Sequence, residues 1–198
     1  MNLELYCNIM EEIKKRTNAI KLIINGIANT GYKATNVEFC YMQIKKILEL
    51  ISLGSLVANH KEFEKQSKKY EKFYHAERIL KDIASVNPFY YPRPINEEST
   101  NNETIKSNII DLKDGYLTEN QFIKLYEKCG KIAHAENPFG SKIDYGYYEK
   151  NILEWVDRIV KLLNSHTIKL LDDDNLYIIH MKEDRDELVH GYVFEKFD

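Results

Sequence analysis

The chain has 198 residues, 43% of them hydrophobic, and a formal net charge of −3. That is enough for one domain with a buried core, or one domain with an appendage, and it argues against intrinsic disorder. No apolar run approaches the roughly 20 residues needed to cross a bilayer: Ile47 to Val57 is broken by Glu49 and Gly54.

The first residues, MNLELYCNIMEEIKK, are acidic early and amphipathic, unlike a signal or transit peptide. Cys7, Cys40 and Cys129 lie far apart, with no paired spacing. Both features lead to the expectation of a cytoplasmic protein with reduced, buried thiols and no membrane contact. Charge is unevenly spread. Lys61 to Lys81 holds seven basic residues against four acidic, whereas the tail from Leu170 holds nine acidic against three basic. A polyanion would meet the body and avoid the tail.

Taken in order, Tyr6, Met10, Ile13, Thr17, Ile20, Ile24 and Ile27 recur every three or four residues and predict a helix from Leu3 to Ile27. The stripe is near-heptad, so it could pack internally or against a second copy. Thr35 and Glu38 match a capping box opening a second helix that reaches about Asn59. From Leu50 that helix is apolar on every face, with Ser52, Gly54 and Ser55 small enough for close approach. It is therefore the expected centre of the bundle. Glu49 on it is expected to pair with Arg78 or Lys81, because buried charges are normally paired.

A third helix is predicted over Lys61 to Ala84, with Phe63, Tyr70, Phe73, Leu80 and Ile83 inward, stopped by Asn87-Pro88. Pro88 to Pro94 reads as a stiff aromatic connector and Asn96 to Asn108 as a loop. An Ile109 to Leu112 strand fragment follows. Thr118 and Gln121 form a second capping box, opening a helix that ends near His134. A last helix runs from Tyr147 to Asn164. After it the period changes from 3.6 to 2, giving three strands: His166 to Leu171, Leu176 to Lys182 and Leu188 to Phe197. The expected fold is thus mainly α: four to five helices over residues 1–164, then a three-stranded antiparallel β-meander over residues 165–198.

The sharpest chemical feature is Lys128 to Pro138, where a helix ends at His134 and an Asn137-Pro138 turn follows. Helix carbonyls favour a protonated imidazole beside them, and histidine can serve as acid and base on a phosphodiester. The same geometry also suits a histidine that caps the last carbonyls, the commoner role for one at a helix end. A helical body whose late helix ends in His followed by Asn-Pro resembles the HEPN superfamily. Several members are metal-independent ribonucleases of toxin–antitoxin and antiphage systems, and two protomers pool their motifs. The resemblance implies His134 as the acid–base residue, with Lys128 where the family carries Arg. It adds Lys131 as a phosphate contact and Asn137 as an orienting group. Lys128 cannot reproduce the bidentate Arg fork, and the family also includes non-catalytic members. His75 and Arg78, three apart on the third helix, could contact phosphate or line a solvated face.

His166, His180 and His190 fall one per strand. The turns place His180 opposite His190 and His166 opposite Met181, pointing to the other face. Two histidines fall short of a zinc site, so neither metal nor cofactor is expected. No phosphate-cradling, dinucleotide, nucleophile-elbow or zinc-protease motif is present. Two functions stand side by side. One is a HEPN-like ribonuclease or RNA-binding component acting as a homodimer. The other is a non-catalytic dimeric subunit recruiting a protein partner through the acidic meander.

Overall fold

The structure is a computed structural model that describes residues 1–60, 76–100, 107–171 and 173–195. Five helices are defined: α1 (Leu3–Ile24), α2 (Lys33–Ala58), α3 (Ala76–Ala84), α4 (Glu119–Ile132) and α5 (Tyr145–Leu163). Five strands accompany them: β1 (Arg93–Ser99), β2 (Ser107–Asp111), β3 (Ser165–Ile168), β4 (Leu176–His180) and β5 (His190–Phe194).

α2 is the centre, and it touches α1, α3, α4 and α5. Its buried residues, among them Cys40, Tyr41, Ile44, Ile47, Leu48 and Ile51, face several directions, as an all-round apolar helix requires. α1 lays its stripe of Tyr6, Met10, Ile13, Thr17 and Ile20 against it. A Cβ on Gly54 would lie 3.2 Å from both Met10 Cε and Tyr6 Cε2, so the small residue sets how closely these helices approach. The α1 stripe is consumed inside the chain. The helix ends at Ile24, not Ile27, and Ile27 is 72% exposed.

The two expected capping boxes part company. At α4, Thr118 Oγ1 accepts from Gln121 N while Gln121 Oε1 accepts from Thr118 N, a complete box. At α2, the helix starts earlier, at Lys33, and its N-cap Tyr32 gives no side-chain cap. Thr35 instead donates to Tyr32 O, and Glu38 accepts a 2.6 Å hydrogen bond from Tyr145 Oη. A tertiary contact has taken the carboxylate. Glu49, too, has a neutral partner: Tyr126 Oη donates to it at 3.2 Å, and Lys81 pairs with Glu77 on its own helix. Phe63, Tyr70, Phe73 and His75 lie outside the described residues, while Leu80 and Ile83 are buried as expected.

The mainly helical fold with a three-stranded meander needs correction. β3, β4 and β5 do form a meander, but they belong to a five-stranded antiparallel sheet of order β2-β1-β3-β4-β5. β1 and β2 come from residues read as connector and loop. The prolines of residues 88–94 point to a stiff connector, and Asn96 to Ser99 shows no apolar alternation. Proline is tolerated at the start of a strand, and Pro94 is the second residue of β1. The polar remainder needs no core face, because β2 supplies its partner from Ile95↔Asp111 to Ser99↔Ser107.

One face of the sheet packs on helices, with α1 against β5 and α5 against β1 and β3. A buried amide chain ties the α3 end to the sheet. Asn87 Nδ2 donates to Asn59 Oδ1 at 2.7 Å and to Lys169 O at 2.9 Å, and Asn59 Nδ2 donates to Ser55 O. Among the described residues no helix is long and apolar enough to cross a membrane.

Candidate functional site

α4 carries the predicted site residues to one end of the bundle. Its apolar face of Phe122, Leu125, Cys129 and Ile132 is buried. Burial pushes the Cys129 thiol up to about 12, so it is an inert packing group and not a nucleophile. Ala133 is the C-cap, and His134 is the first residue beyond it, with its amide donating to Lys131 O at 3.4 Å. The His134 side chain is exposed and hydrogen-bonds none of the described residues. It does not cap the helix carbonyls, so its ring is open to solvent and to a ligand.

Around it the turn is pinned by its own side chains. Asn137 Oδ1 accepts from Phe139 N at 3.0 Å, and Glu136 Oε1 accepts from Ile143 N at 2.7 Å. Phe139, 96% exposed, projects from this turn. Lys131 is exposed as well.

Lys128 is placed differently from what the spacing suggested. Its Nζ donates to Tyr147 Oη at 2.6 Å and lies 5.0 Å and 5.4 Å from the ring centroids of Tyr147 and Trp155. Two aromatic residues of α5 therefore hold the ammonium by a hydrogen bond and by ring quadrupoles. Neither was singled out from the sequence as a partner of Lys128. The Lys128-to-Tyr147 separation crosses a turn, and no local pattern announces it. An ammonium has three donors, so Lys128 keeps capacity for a phosphate oxygen. Arg78 sits on the exposed side of α3.

The three sheet histidines occupy three distinct environments. His180 and His190 are cross-strand partners as expected, and His166 points to the opposite face. Its partner is Ile179, two residues from the expected Met181, a slip that preserves face. His166 is fully buried against α1. Its Nδ1–H donates to Leu163 O at 2.8 Å, which leaves Nε2 to accept from Tyr6 Oη at 2.9 Å. Burial lowers its pKa from the ordinary imidazole value to about 4. Burial also raises the Tyr6 phenol, with the Cys7 thiol adding to it, so both rings stay neutral.

On the outer face His180 lies between two carboxylates: Nε2 is 2.6 Å from Glu97 Oε1 and Nδ1 is 2.7 Å from Glu183 Oε1. Carboxylates only accept, so both contacts are hydrogen bonds when the ring carries two protons. Tyr192 Oη donates to the same Glu183 oxygen at 3.0 Å. Glu183 is held below the ordinary carboxyl range by the hydrogen bonds from His180 and then Tyr192. His190 has the opposite arrangement, with Arg185 Nη2 donating to Nδ1 at 3.0 Å and Nε2 donating to Asp186. Glu97 and Glu183 were missed from sequence because one lay in a stretch read as loop and the other in a turn.

Among the described residues no group of three or more potential ligands converges on a metal position. Comparison with protein-family models, curated proteins and solved structures returns no match to this chain.

Proposed function

We propose that the chain is a HEPN-like ribonuclease or RNA-binding component that works without a metal, as a homodimer joined near the α4 end. The observation that carries this reading is the His134 ring, exposed at the end of α4 and without a partner among the described residues. Internal use of the α1 stripe also leaves the α4–α5 end as the better-placed helical face for a second copy. Phe139, in the turn after α4, and Tyr147, beside Lys128, contribute exposed apolar surface there.

In this reading one His134 takes the proton from a ribose 2′-hydroxyl. The oxygen attacks the neighbouring phosphorus, a 2′,3′-cyclic phosphate forms, and the P–O bond to the 5′-oxygen breaks. The His134 of a second copy delivers the proton that the leaving oxygen needs. Lys128, held over Tyr147 and Trp155, and exposed Lys131 face the phosphate charge, and Asn137 fixes the turn.

Digestion of total RNA in chelator by wild type and His134→Ala tests the reading. Wild type should cleave and His134→Ala should not, with an unchanged circular dichroism spectrum. Equal cleavage by the two, or none by a folded wild-type dimer, overturns the catalytic reading. The second reading, an interaction subunit without catalysis, would then stand on Lys128 being engaged by Tyr147.

A further inference from the structure

The sheet is curled in a way its strand order alone does not reveal. β2 and β5 are its two edges, four strand spacings apart, or roughly 19 Å on a flat sheet. Yet Ile109 of β2 and Phe194 of β5 line one cavity of about 310 Å³, with Leu176 and Ile178 of β4 between them. The β1–β2 hairpin therefore bends over the outer face and makes a trough. Backbone pairing does little to hold it there. β1 pairs with β3 only at Arg93↔Thr167 and Pro94↔His166, while Ile95 to Ser99 pairs with β2 alone.

What crosses the trough is a side-chain bridge. Glu97 reaches from β1 over β3 to His180 on β4, and His180 in turn holds Glu183 of the β4–β5 turn. Among the described residues the one other side-chain tie on Glu97 is a long 3.4 Å hydrogen bond from Ser165 Oγ.

We infer that His180 is a proton-operated latch that fastens the β1–β2 hairpin across the outer face of the sheet and opens the trough when it loses its proton. The logic lies in the donors. A doubly protonated ring gives one N–H to Glu97 and the other to Glu183. A neutral ring has one N–H and one lone pair, so one carboxylate then faces a lone pair and is repelled. Glu183 retains the Tyr192 hydroxyl in either state, whereas among the described residues the Glu97 side chain has only the long Ser165 contact. The hairpin is the side that lets go.

The remaining groups around the ring do not substitute for its proton. His190, directly opposite, is already occupied by Arg185 and Asp186, and Arg185 presents its guanidinium to that ring. His166 lies on the other face and stays neutral above about pH 4. Imidazoles as a class change charge between pH 5 and 8, and this range sets the two pH values compared.

Amide hydrogen exchange on the full chain at pH 5.5 and 8.0, corrected for intrinsic rates, reads the latch directly. Protection across residues 95–99 and 107–111 should fall about tenfold at the higher pH, the factor expected for losing one charge-assisted hydrogen bond. α2 supplies the folded-state control. His166 cannot counterfeit this result, because its effect weakens the fold at the lower pH. In His180→Gln the step should vanish with α2 still protected. Glu97→Gln, which stays neutral at both pH values, should lose most of the step and covers a failure of the first variant to fold. No step in wild type, or the same step in both variants, overturns the inference.

Discussion

The junction of α1 with the sheet and the free end of α4 use the same chemistry to opposite ends. At the junction, His166 is fully buried, both ring nitrogens are satisfied and its proton affinity is suppressed. At the end of α4, His134 is exposed with no side-chain partner among the described residues. A histidine whose two nitrogens are spent on Leu163 and Tyr6 can only hold elements together. One with both nitrogens free can exchange protons with something from outside. The comparison shows that partner count and burial, not residue type, separate the structural imidazole from the chemical one.

The largest effect should come from removing the structural one. His166→Ala deletes a buried ring, leaves a cavity beside Tyr6, and strands the Tyr6 hydroxyl and the Leu163 carbonyl without partners. Cavity formation and the unmet polar groups together should cost about 4 kcal/mol. Chemical denaturation of wild type and variant at pH 7 measures it. A cost under about 1 kcal/mol would mean that the junction is not the packed element the comparison requires.

Protonation should attack the same place more gently. The folded-state pKa of His166 is depressed to about 4, below the ordinary 6.5. Above pH 6.5 the ring is neutral in both states, and its full contribution is present. As pH falls from 6.5 to 4, the unfolded chain binds a proton that the folded chain refuses. Stability is then lost through that window and no further below it. A difference of this size is about 3 kcal/mol. The measurement is the pH dependence of unfolding free energy in wild type minus that in His166→Gln, which has nothing to titrate at this position. Parallel curves would show that the junction admits water.

Much of the helical side of this contrast was legible in the sequence, and much of the sheet was not. α2 announced itself because Leu50, Leu53, Leu56 and Val57 fill the face that an amphipathic helix leaves polar. The box at Thr118 was readable because both of its hydrogen bonds are local. The box at Thr35 failed because the helix already starts at Lys33, which puts Thr35 inside it, and Glu38 bonds Tyr145, a residue 107 positions away. β1 failed for a related reason. Its residues carry no apolar alternation, since most of the strand is exposed and it is stabilised by β2 rather than by the core. The His134 end could be located from the helix stop signals around it. Whether its ring would turn back onto the helix carbonyls is a side-chain choice that no spacing encodes. The latch residues were invisible for the same reason, as Glu97 and His180 are 83 positions apart.

The smallest stability effect should fall at the open end, on Lys128. Its ammonium is shared by one hydrogen bond to Tyr147 Oη and the rings of Tyr147 and Trp155. Lys128→Met keeps an unbranched stem over the same rings and removes the charge, so it isolates the electrostatic part from the packing. A partly exposed cation–ring contact and a surface hydrogen bond are together worth about 1 kcal/mol, and thermal unfolding of this chain should shift by only a few degrees. If Lys128 also meets phosphate, the same variant should bind single-stranded RNA more weakly. The slope of log affinity against log salt should then fall by about 0.7, one contact's worth on a single strand. Lys128→Arg should keep that slope and hold phosphate through two parallel hydrogen bonds. A destabilisation of 3 kcal/mol or more in Lys128→Met with no change in salt slope would place Lys128 with His166, among the groups that hold the fold and meet nothing outside it.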